Sequence, residues 1–391
     1  MATVSSLVQL IEQVSAKRIL EAAPSEDRGL VELMPYPFMA LVGQTEMKTA
    51  LLLTLINPAV NGVLLLGPRG TGKTTAVRSL VDLLPMVPRS LCQYGCLPED
   101  VETGGMDAVC PDCAKKYGEG QPLTRPEKVA LVELPLNSRI EDVVGGINEM
   151  AAAHNRMMLQ RGILARADRN LLYVDEVNLL ADEIVDSILD AAAQGQYTLR
   201  RGPFSATYRA RFALVGSMNP EEGRLRPQIL DRFGLRLMVR GLTDPAERLE
   251  AYRRVRAYLT NARATLAEFE EQTAFARDEI QTAREFLPQV KLTPEAENAG
   301  LELVHQMKID SLRAEITMFE SARAYAAADG RTGAAPADVR AVAPMSLRLR
   351  RSTFMEKYFE DQGTEEKEIQ AVIDSVIPND AVTPSETAPS P

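Results

Sequence analysis

The segment GVLLLGPRGTGKTTAVRSL, residues 62–80, sets an apolar strand directly before a glycine-rich turn and a helical pattern. Its middle part, residues 67–74, matches G-x-x-x-x-G-K-[ST], the pattern of a phosphate-binding loop. Glycines let such a loop curl until its N–H groups point at phosphate oxygens, and the helix N-terminus adds its positive dipole. The segment therefore predicts a nucleotide-binding α/β domain. The candidate binding residues are Gly67, Pro68, Arg69, Gly70, Thr71, Gly72, Lys73 and Thr74.

Four further apolar runs have the character of buried strands. They are VALVEL (129–134), LLYVDE (171–176), RFALVGSM (211–218) and LRLMV (235–239), and helical patterns separate them. Strands that alternate with helices form a parallel sheet covered on both faces. We therefore expect an α/β core over residues 36–240, preceded by a helix and linker over residues 1–35.

Beyond residue 240 the pattern is helical and poor in strands. The spacing of apolar residues predicts a helical linker over residues 241–290 and an all-α bundle over residues 291–352. Residues 353–391 predict an acidic helix and then a disordered tail, because the last stretch is rich in Pro, Ser and Thr.

Polar side chains follow two of the predicted strands. Asp175 ends one of them, where its carboxylate and the Thr74 hydroxyl could hold the Mg²⁺ of a bound nucleotide. Glu176 comes next and could polarise an attacking water, so the pair predicts hydrolysis as well as binding. Asn219 follows RFALVGSM, where a short amide could orient the same water. Lys73 would bridge the β- and γ-phosphates.

The composition bounds the class of protein. The chain has 391 residues, of which 45% are hydrophobic and 25% charged, as in soluble globular proteins of two or three domains. The net charge of −10 argues against nucleic acid as a partner, because that partner needs a basic surface. No apolar run approaches a membrane span. The sequence predicts a cytoplasmic protein, or one of the plastid stroma in a eukaryote. His154 and His305 stand alone and are more typical of surface or packing residues than of catalysts.

All four cysteines lie in CQYGCLPEDVETGGMDAVCPDC, residues 92–113, with the spacing C-x₃-C-x₁₃-C-x₂-C. Two close pairs separated by a loop can bring four thiolates to a tetrahedral Zn²⁺, with no open position for catalysis. A reversible disulfide switch and chance clustering are the alternatives. The candidate ligands are Cys92, Cys96, Cys110 and Cys113.

Taken together, the motifs resemble one family. The phosphate loop, VDEVNLL, GSMNPEEG, LRPQILDRFGL and SLRAEI resemble the AAA+ ATPase subunits, or I subunits, of magnesium chelatases over residues 36–351. The resemblance implies an AAA+ P-loop core with a C-terminal all-α lid, ATP and Mg²⁺ as cofactors, and a ring that is usually a hexamer. It also implies two partners, an integrin-domain AAA+-like subunit and a large porphyrin-binding subunit. The implied activity is ATP-driven insertion of Mg²⁺ into protoporphyrin IX in (bacterio)chlorophyll biosynthesis.

The resemblance also implies residue roles. Asn219 would be the sensor-1 residue, and Arg313 would be the sensor-2 residue of the lid. Arg232 would be an arginine finger that reaches the nucleotide of the next subunit. Residues near the adenine would be Val42, Gly43 and Gln44, which lie in ALVGQTEMKTALLL.

The family has two insertions, which would be a helix-2 insert at residues 133–170 and a hairpin at residues 195–212. Arg209 and Arg211 in the hairpin could serve the subunit interface or the nucleotide. At residues 159–162 the chain has LQRG, where the family commonly has a Phe-Glu-Pro-Gly type of sequence. This departure leaves open a related ring ATPase, of a cobalt chelatase or a MoxR-like chaperone that matures metalloproteins. A nucleic-acid motor is a further alternative, against which the acidic balance counts.

Overall fold

A computed structural model describes residues 34–147, 159–202, 204–223 and 225–351. Contacts divide the chain into residues 1–35 and residues 36–391, and every described helix and strand belongs to the second unit. The predicted N-terminal helix, His154, and the acidic helix and tail lie outside the described residues.

The strands are β1 (Val63–Leu66), β2 (Met86–Ser90), β3 (Thr124–Lys128), β4 (Leu131–Leu134), β5 (Gly145–Ile147), β6 (Leu159–Arg161), β7 (Leu171–Val174), β8 (Gln196–Arg201), β9 (Phe204–Arg209), β10 (Ala213–Met218), β11 (Leu235–Met238), β12 (Lys291–Leu292) and β13 (Gly333–Ala334). The helices are α1 (Thr45–Ile56), α2 (Lys73–Ser79), α3 (Pro98–Gly104), α4 (Pro111–Gly118), α5 (Ile140–Val144), α6 (Ile163–Arg166), α7 (Asp182–Gln194), α8 (Pro227–Arg232), α9 (Pro245–Thr260), α10 (Ala262–Glu268), α11 (Glu270–Phe286), α12 (Pro294–Gln306), α13 (Arg313–Ala328) and α14 (Pro336–Leu347). Among these helices none is long and apolar enough to cross a membrane.

The centre of the fold is a five-stranded parallel sheet in the order β11-β1-β10-β7-β4. These are the five strands that the sequence predicts. Side chains of β1 alternate between two apolar cores, with Val63 and Leu65 on one face and Leu64 and Leu66 on the other. Helices cover both faces, as a sheet of this kind requires, and the α/β expectation is confirmed.

The first of these cores continues into the C-terminal helices. Leu51 of α1 and Val77 of α2 belong to the same buried cluster as Met318 of α13 and Val342 of α14. The helical bundle therefore packs against the sheet domain through one continuous apolar core, whose burial is the main stabilising term between them.

Three antiparallel hairpins accompany the sheet: β2 with β3, β5 with β6, and β8 with β9. The sequence reasoning missed β2 and β3, because MVPRS and TRPEK contain proline and charges and lack an apolar run. Their hairpin carries the cysteine segment, residues 92–113. Strand β4 runs to Leu134, so the first two residues of the predicted helix-2 insert lie in the sheet.

A charged cluster around Asp231 ties the C-terminal helices to the sheet. Its carboxylate accepts hydrogen bonds from Arg350 at 2.8 Å, Arg313 at 2.9 Å and Ser311 at 2.8 Å, and it lies 3.5 Å from Arg236. The side chains of Arg236 and Arg350 are fully buried. Burial alone would raise the pKa of Asp231, but the bonds from Arg313 and Ser311 and the charge of Arg350 hold it below its usual value.

We expect Asp231→Ala to lower the free energy of unfolding by about 3 to 5 kcal/mol, because it leaves two buried guanidinium groups without a counter-charge. Denaturant unfolding measures this. The difference from wild type should shrink as the pH falls from about 4, where aspartates of the unfolded chain take up protons, through the lower pKa of Asp231 in the folded chain. Asp329→Ala, which removes an exposed partner of Arg331, is the control and should cost under about 1 kcal/mol. Equal costs for the two variants would contradict the role of Asp231.

Candidate nucleotide-binding and hydrolysis site

The phosphate loop joins the end of β1 to the start of α2. At Gly67 a side chain is excluded, because an added Cβ would overlap the carbonyl oxygen of Val239 after β11. At Gly70 and Gly72 the backbone is left-handed, and a Cβ there would meet no atom within 4 Å. The loop therefore forms an open cradle of backbone in front of the helix N-terminus, which suits phosphate oxygens.

The ammonium group of Lys73 lies inside this cradle. It donates hydrogen bonds to the carbonyl oxygens of Gly67 at 2.6 Å and Pro68 at 2.8 Å. Burial lowers the pKa of Lys73, and the nearby carboxylates of Asp175 and Glu176 oppose that shift. The side chain is thus a preplaced cation whose present partners are weak carbonyl acceptors that an anion could displace.

The carboxylate of Asp175 lies beside the Thr74 hydroxyl, with 3.3 Å between the two oxygens. The Tyr173 hydroxyl lies 2.9 Å from Asp175 Oδ1 and 3.1 Å from Thr74 Oγ1, and the Ser217 hydroxyl donates to Asp175. Burial raises the pKa of Tyr173, so its hydroxyl stays protonated as a donor. Thr74 and Asp175 thus offer two neighbouring oxygens of the kind that Mg²⁺ prefers, and hydroxyls of Tyr173 and Ser217 form a second layer around them.

Glu176 has a left-handed backbone, with φ of +49°, which non-glycine residues adopt at a cost of about 1 kcal/mol or more. Its N–H lies 3.2 Å from Ser217 Oγ and 3.2 Å from Asp175 Oδ1, and these contacts hold the turn. Its carboxylate lies 3.7 Å from the guanidinium of Arg69, which also pairs with Glu222. The strained turn directs the Glu176 side chain towards the phosphate loop instead of along the strand.

A cavity of about 230 Å³ joins these groups. Asn219 lines it and is nearly buried, and its side-chain oxygen accepts from the N–H of Glu221 at 3.2 Å. The structure therefore brings together the predicted phosphate, magnesium and sensor-1 residues. The lining consists of Arg69, Gly70, Thr71, Gly72, Lys73, Thr74, Thr75, Asp175, Glu176, Ser217, Met218 and Asn219.

A second cavity, of about 400 Å³, shares Gly70, Thr71, Gly72 and Thr75 with the first. The predicted adenine residues Val42 and Gln44 line it. Gly43, between them, packs against Leu242 so closely that a Cβ added to it would lie 2.7 Å from Leu242 Cδ2. The Gln44 amide donates to the carbonyl of Arg240 at 2.6 Å. This second cavity has the apolar and polar lining that a nucleotide base requires. The other lining residues include Tyr36, Leu41, Met47, Leu242, Arg248 and Val255.

Arg232 and Arg313 lie elsewhere. Arg232 ends α8 and pairs with Asp190 at 2.8 Å and Asp186 at 3.4 Å on α7. Arg313 begins α13 and binds Asp231, the residue before Arg232. Neither arginine is among the described residues that line the two cavities. The structure thus groups the two arginines with each other and not with their own phosphate loop.

Arg209 and Arg211, expected at the nucleotide or a subunit interface, bind other groups within the chain. Arg211 donates to the carbonyl of Gly95 at 2.7 Å and to Asp100 at 3.2 Å. Arg209 donates to Gln196 at 2.9 Å. Within this chain their partners lie in the cysteine segment, in the β8–β9 hairpin and at Asp168, and neither arginine lines the two cavities above. Their role at a subunit interface or at a nucleotide stays a prediction.

Sequence reasoning overlooked several residues of the site. Tyr173 and Ser217 each lie two positions before a predicted site residue, Asp175 or Asn219, on the same side of the strand. That period of two is a signal which could have found them. Leu242 and Arg248, by contrast, line the second cavity because the chain passes the phosphate loop again after β11. No local sequence pattern predicts that contact.

Comparisons with known proteins show the family of the chain. The family described as magnesium chelatase, subunit ChlI, matches residues 146–242, and the AAA lid domain matches residues 298–372. The magnesium-chelatase subunit ChlI homolog of Methanocaldococcus jannaschii is 42% identical over 323 residues, which cover 82% of this chain and 87% of that protein.

Two bacterial relatives are equally similar. The magnesium-chelatase 38 kDa subunit of Acidiphilium rubrum is 41% identical over 81% of this chain and 90% of its own length. That of Cereibacter sphaeroides is 42% identical over 81% and 93%. A chain from a cryo-EM reconstruction of the complex between subunits BchI and BchD of magnesium chelatase shares 37% identity, with a TM-score of 0.46 over 83% of this chain and 99% of that chain. The chain belongs to the magnesium chelatase ChlI family, an enzyme-subunit family of the AAA+ fold.

Proposed function

We propose that this chain is the ATPase motor subunit of a magnesium chelatase. It hydrolyses ATP in a ring of identical subunits, for which we expect six members, and thereby drives partner subunits to insert Mg²⁺ into protoporphyrin IX. The product belongs to (bacterio)chlorophyll biosynthesis. One observation carries the proposal: a chain of the ChlI family gathers Lys73, Asp175, Glu176 and Asn219 around one cavity.

The residues fit MgATP as the cofactor. The loop N–H groups and Lys73 would hold the phosphates, Thr74 and Asp175 would hold the Mg²⁺, and Val42 and Gln44 would contact the base. When bound, MgATP supplies the γ-phosphoryl group together with a metal that neutralises charge on its oxygens. Lys73 would exchange its two carbonyl partners for phosphate oxygens, which are stronger acceptors for an ammonium group.

Hydrolysis would depend on Glu176 and Asn219. The Glu176 carboxylate would orient a water and accept its proton as the water attacks, while the Asn219 amide would fix the direction of attack. The strained Glu176 backbone keeps the carboxylate at the cavity, so little reorganisation is needed when substrate arrives.

Ring formation is supported by the place of Arg232. Its partners Asp186 and Asp190 have side chains that are 41% and 55% exposed, and such surface pairs contribute about 1 kcal/mol or less. Arg232 can therefore exchange its contacts with Asp186 and Asp190 for the nucleotide of a neighbouring subunit at a small cost in free energy. Head-to-tail contacts of this kind close into rings. Because Asp231 holds Arg313 beside Arg232, we assign both arginines to the same interface between subunits.

The partners follow from family membership: an integrin-domain AAA+-like subunit and a large subunit that binds the porphyrin. The cytoplasmic location stays a prediction. One observation favours a related cobalt chelatase or a MoxR-like chaperone, namely LQRG at residues 159–162 in place of the family's usual sequence.

Reconstitution tests the proposed function. We expect this chain, the two partner subunits, MgATP and protoporphyrin IX to yield Mg-porphyrin, followed by fluorescence. Glu176→Gln should bind ATP but lose turnover and chelation by roughly 10² to 10⁴-fold, because the general base is gone. Glu295→Gln, an exposed change at the start of α12, is the control and should behave as wild type. An active ATPase that yields no Mg-porphyrin, or that yields a cobalt product instead, would favour the alternatives.

Mixed rings test the role of Arg232. Arg232→Ala and Lys73→Ala chains should each lack ATPase activity, and an equal mixture should recover it at about a quarter of the interfaces. At those interfaces the intact phosphate loop of an Arg232→Ala chain meets the intact Arg232 of a Lys73→Ala chain. As a control, Arg232→Ala mixed with the Lys73→Ala/Arg232→Ala double variant should stay inactive. Failure of the first mixture, although both chains assemble, would argue that Arg232 does not act between subunits.

Tyr173→Phe tests the hydroxyl layer behind the magnesium ligands. The variant keeps the buried ring but loses the bond to Asp175, so the Mg²⁺ concentration for half-maximal ATPase should rise about tenfold. Magnesium titration of the steady-state rate measures this. Tyr197→Phe in β8 makes the same chemical change away from the site and should leave the magnesium dependence alone. Equal curves for Tyr173→Phe and wild type would remove the proposed role.

A further inference from the structure

The four cysteines of the cysteine segment converge on one point. Their Sγ atoms all lie within 4.8 Å of one another, although each is a free thiol and the first and last are 21 positions apart. Cys96 and Cys113 are buried, and Cys92 and Cys110 are partly exposed. Four Zn–S bonds of about 2.3 Å in a tetrahedron place the sulfurs about 3.8 Å apart. A small inward movement would therefore complete a site for one ion.

Backbone and hydroxyl donors already point at the sulfurs. The N–H of Cys96 donates to Cys92 Sγ at 3.4 Å, and the N–H of Cys110 donates to Cys96 Sγ at 3.3 Å. The Ser90 hydroxyl lies 3.4 Å from Cys92 Sγ. The bond from Cys110 to Cys96 links the two halves of the motif, so the two cysteine pairs are held at one point by the backbone as well as by their side chains.

The apolar cluster around the thiols is small. It consists of Cys96, Cys113 and Leu123 with a few partly buried neighbours. So small a cluster gives little apolar stabilisation at this point, and natural proteins often stabilise small segments with a metal or disulfides. The thiols themselves occupy the centre of the cluster, where a bound ion would replace the missing apolar contacts.

The segment packs against the β8–β9 hairpin. The ring of Tyr94 stacks on Tyr208 at 5.5 Å, and Tyr208 stacks on Tyr197 at 5.7 Å. The N–H of Arg209 donates to the carbonyl of Tyr94 at 3.0 Å. At Gly95, between the first two cysteines, an added Cβ would lie 2.8 Å from the Cβ of Arg209, so only glycine allows this approach.

We propose that Cys92, Cys96, Cys110 and Cys113 bind one structural Zn²⁺, and that this ion holds the cysteine segment against the β8–β9 hairpin. The four thiolates fill the coordination sphere, so the ion carries no catalysis. The nucleotide site is built from other residues, so the zinc proposal is independent of the proposed function and can be tested separately.

Metal analysis of the full chain, purified without chelator, tests the site. We expect about one zinc per chain, released when a mercurial titrates the four thiols. Cys113→Ser should reduce zinc to a small fraction, and Asp112→Asn, an exposed neighbour on the same helix, should keep it. Metal-free protein, with either two disulfides or four free thiols, would overturn the proposal, as would zinc that Cys113→Ser retains.

Two further measurements hold even if Cys113→Ser fails to fold. Cobalt(II) exchanged into the wild-type chain should give the visible d–d bands of a tetrahedral tetrathiolate, and octahedral bands would contradict the ligand set. Removal of zinc should speed amide exchange in residues 92–113 and 196–209 but not in β1. A change confined to residues 92–113, or one that spreads to β1, would overturn the role in holding the hairpin.

Discussion

The register of three parallel strands fixes the whole candidate site. Leu66 of β1 pairs with Met218 of β10, and Val174 of β7 pairs with Gly216 of β10. The next residues are therefore neighbours: Gly67 begins the phosphate loop beside β10, and Asp175 lies beside Ser217. A slip of one residue in either pairing would turn the side chains of the slipped strand to the opposite face and separate the proposed magnesium ligands. Close packing in the two cores opposes that slip, because each side chain of these strands fits the neighbours on its own face.

Much of this arrangement could be predicted from the sequence. Continuous apolar runs are typical of strands buried on both faces, and all five proved to be strands of one sheet. The loop pattern then placed Lys73 and Thr74, and parallel strands brought Asp175 and Asn219 to the same edge. What could not be predicted depends on tertiary contacts. Strands β2 and β3 are short, polar and paired only with each other, and the base cavity forms where distant segments meet.

The ion pairs at the end of α8 are of two kinds, one buried and one exposed. Their different strengths bear on the roles of Arg232 and Arg313. Asp231 meets fully buried guanidinium groups, whose desolvation makes loss of the partner costly. Arg232 meets exposed carboxylates, where water competes and the pair is weak. The sequence placed both arginines of interest, Arg232 and Arg313, near the nucleotide through resemblance alone. In the structure two consecutive residues differ in this respect: Asp231 contacts buried guanidinium groups, and Arg232 contacts exposed carboxylates, which suits the exchange of partners that we propose for it.

This division has a mechanical consequence. Asp231 and Arg232 share a peptide bond at the end of α8, so a displacement of one backbone moves the other. Asp231 in turn holds Arg313 at the start of α13 and Arg350 after α14, through bonds of 2.9 and 2.8 Å. If Arg232 reaches the nucleotide of a neighbouring subunit, as we propose, a pull on it would act on the C-terminal helices through Asp231, whose contact with the buried guanidinium of Arg350 is costly to break. Because Asp231 and Arg232 are adjacent in the chain, this coupling would need no long pathway.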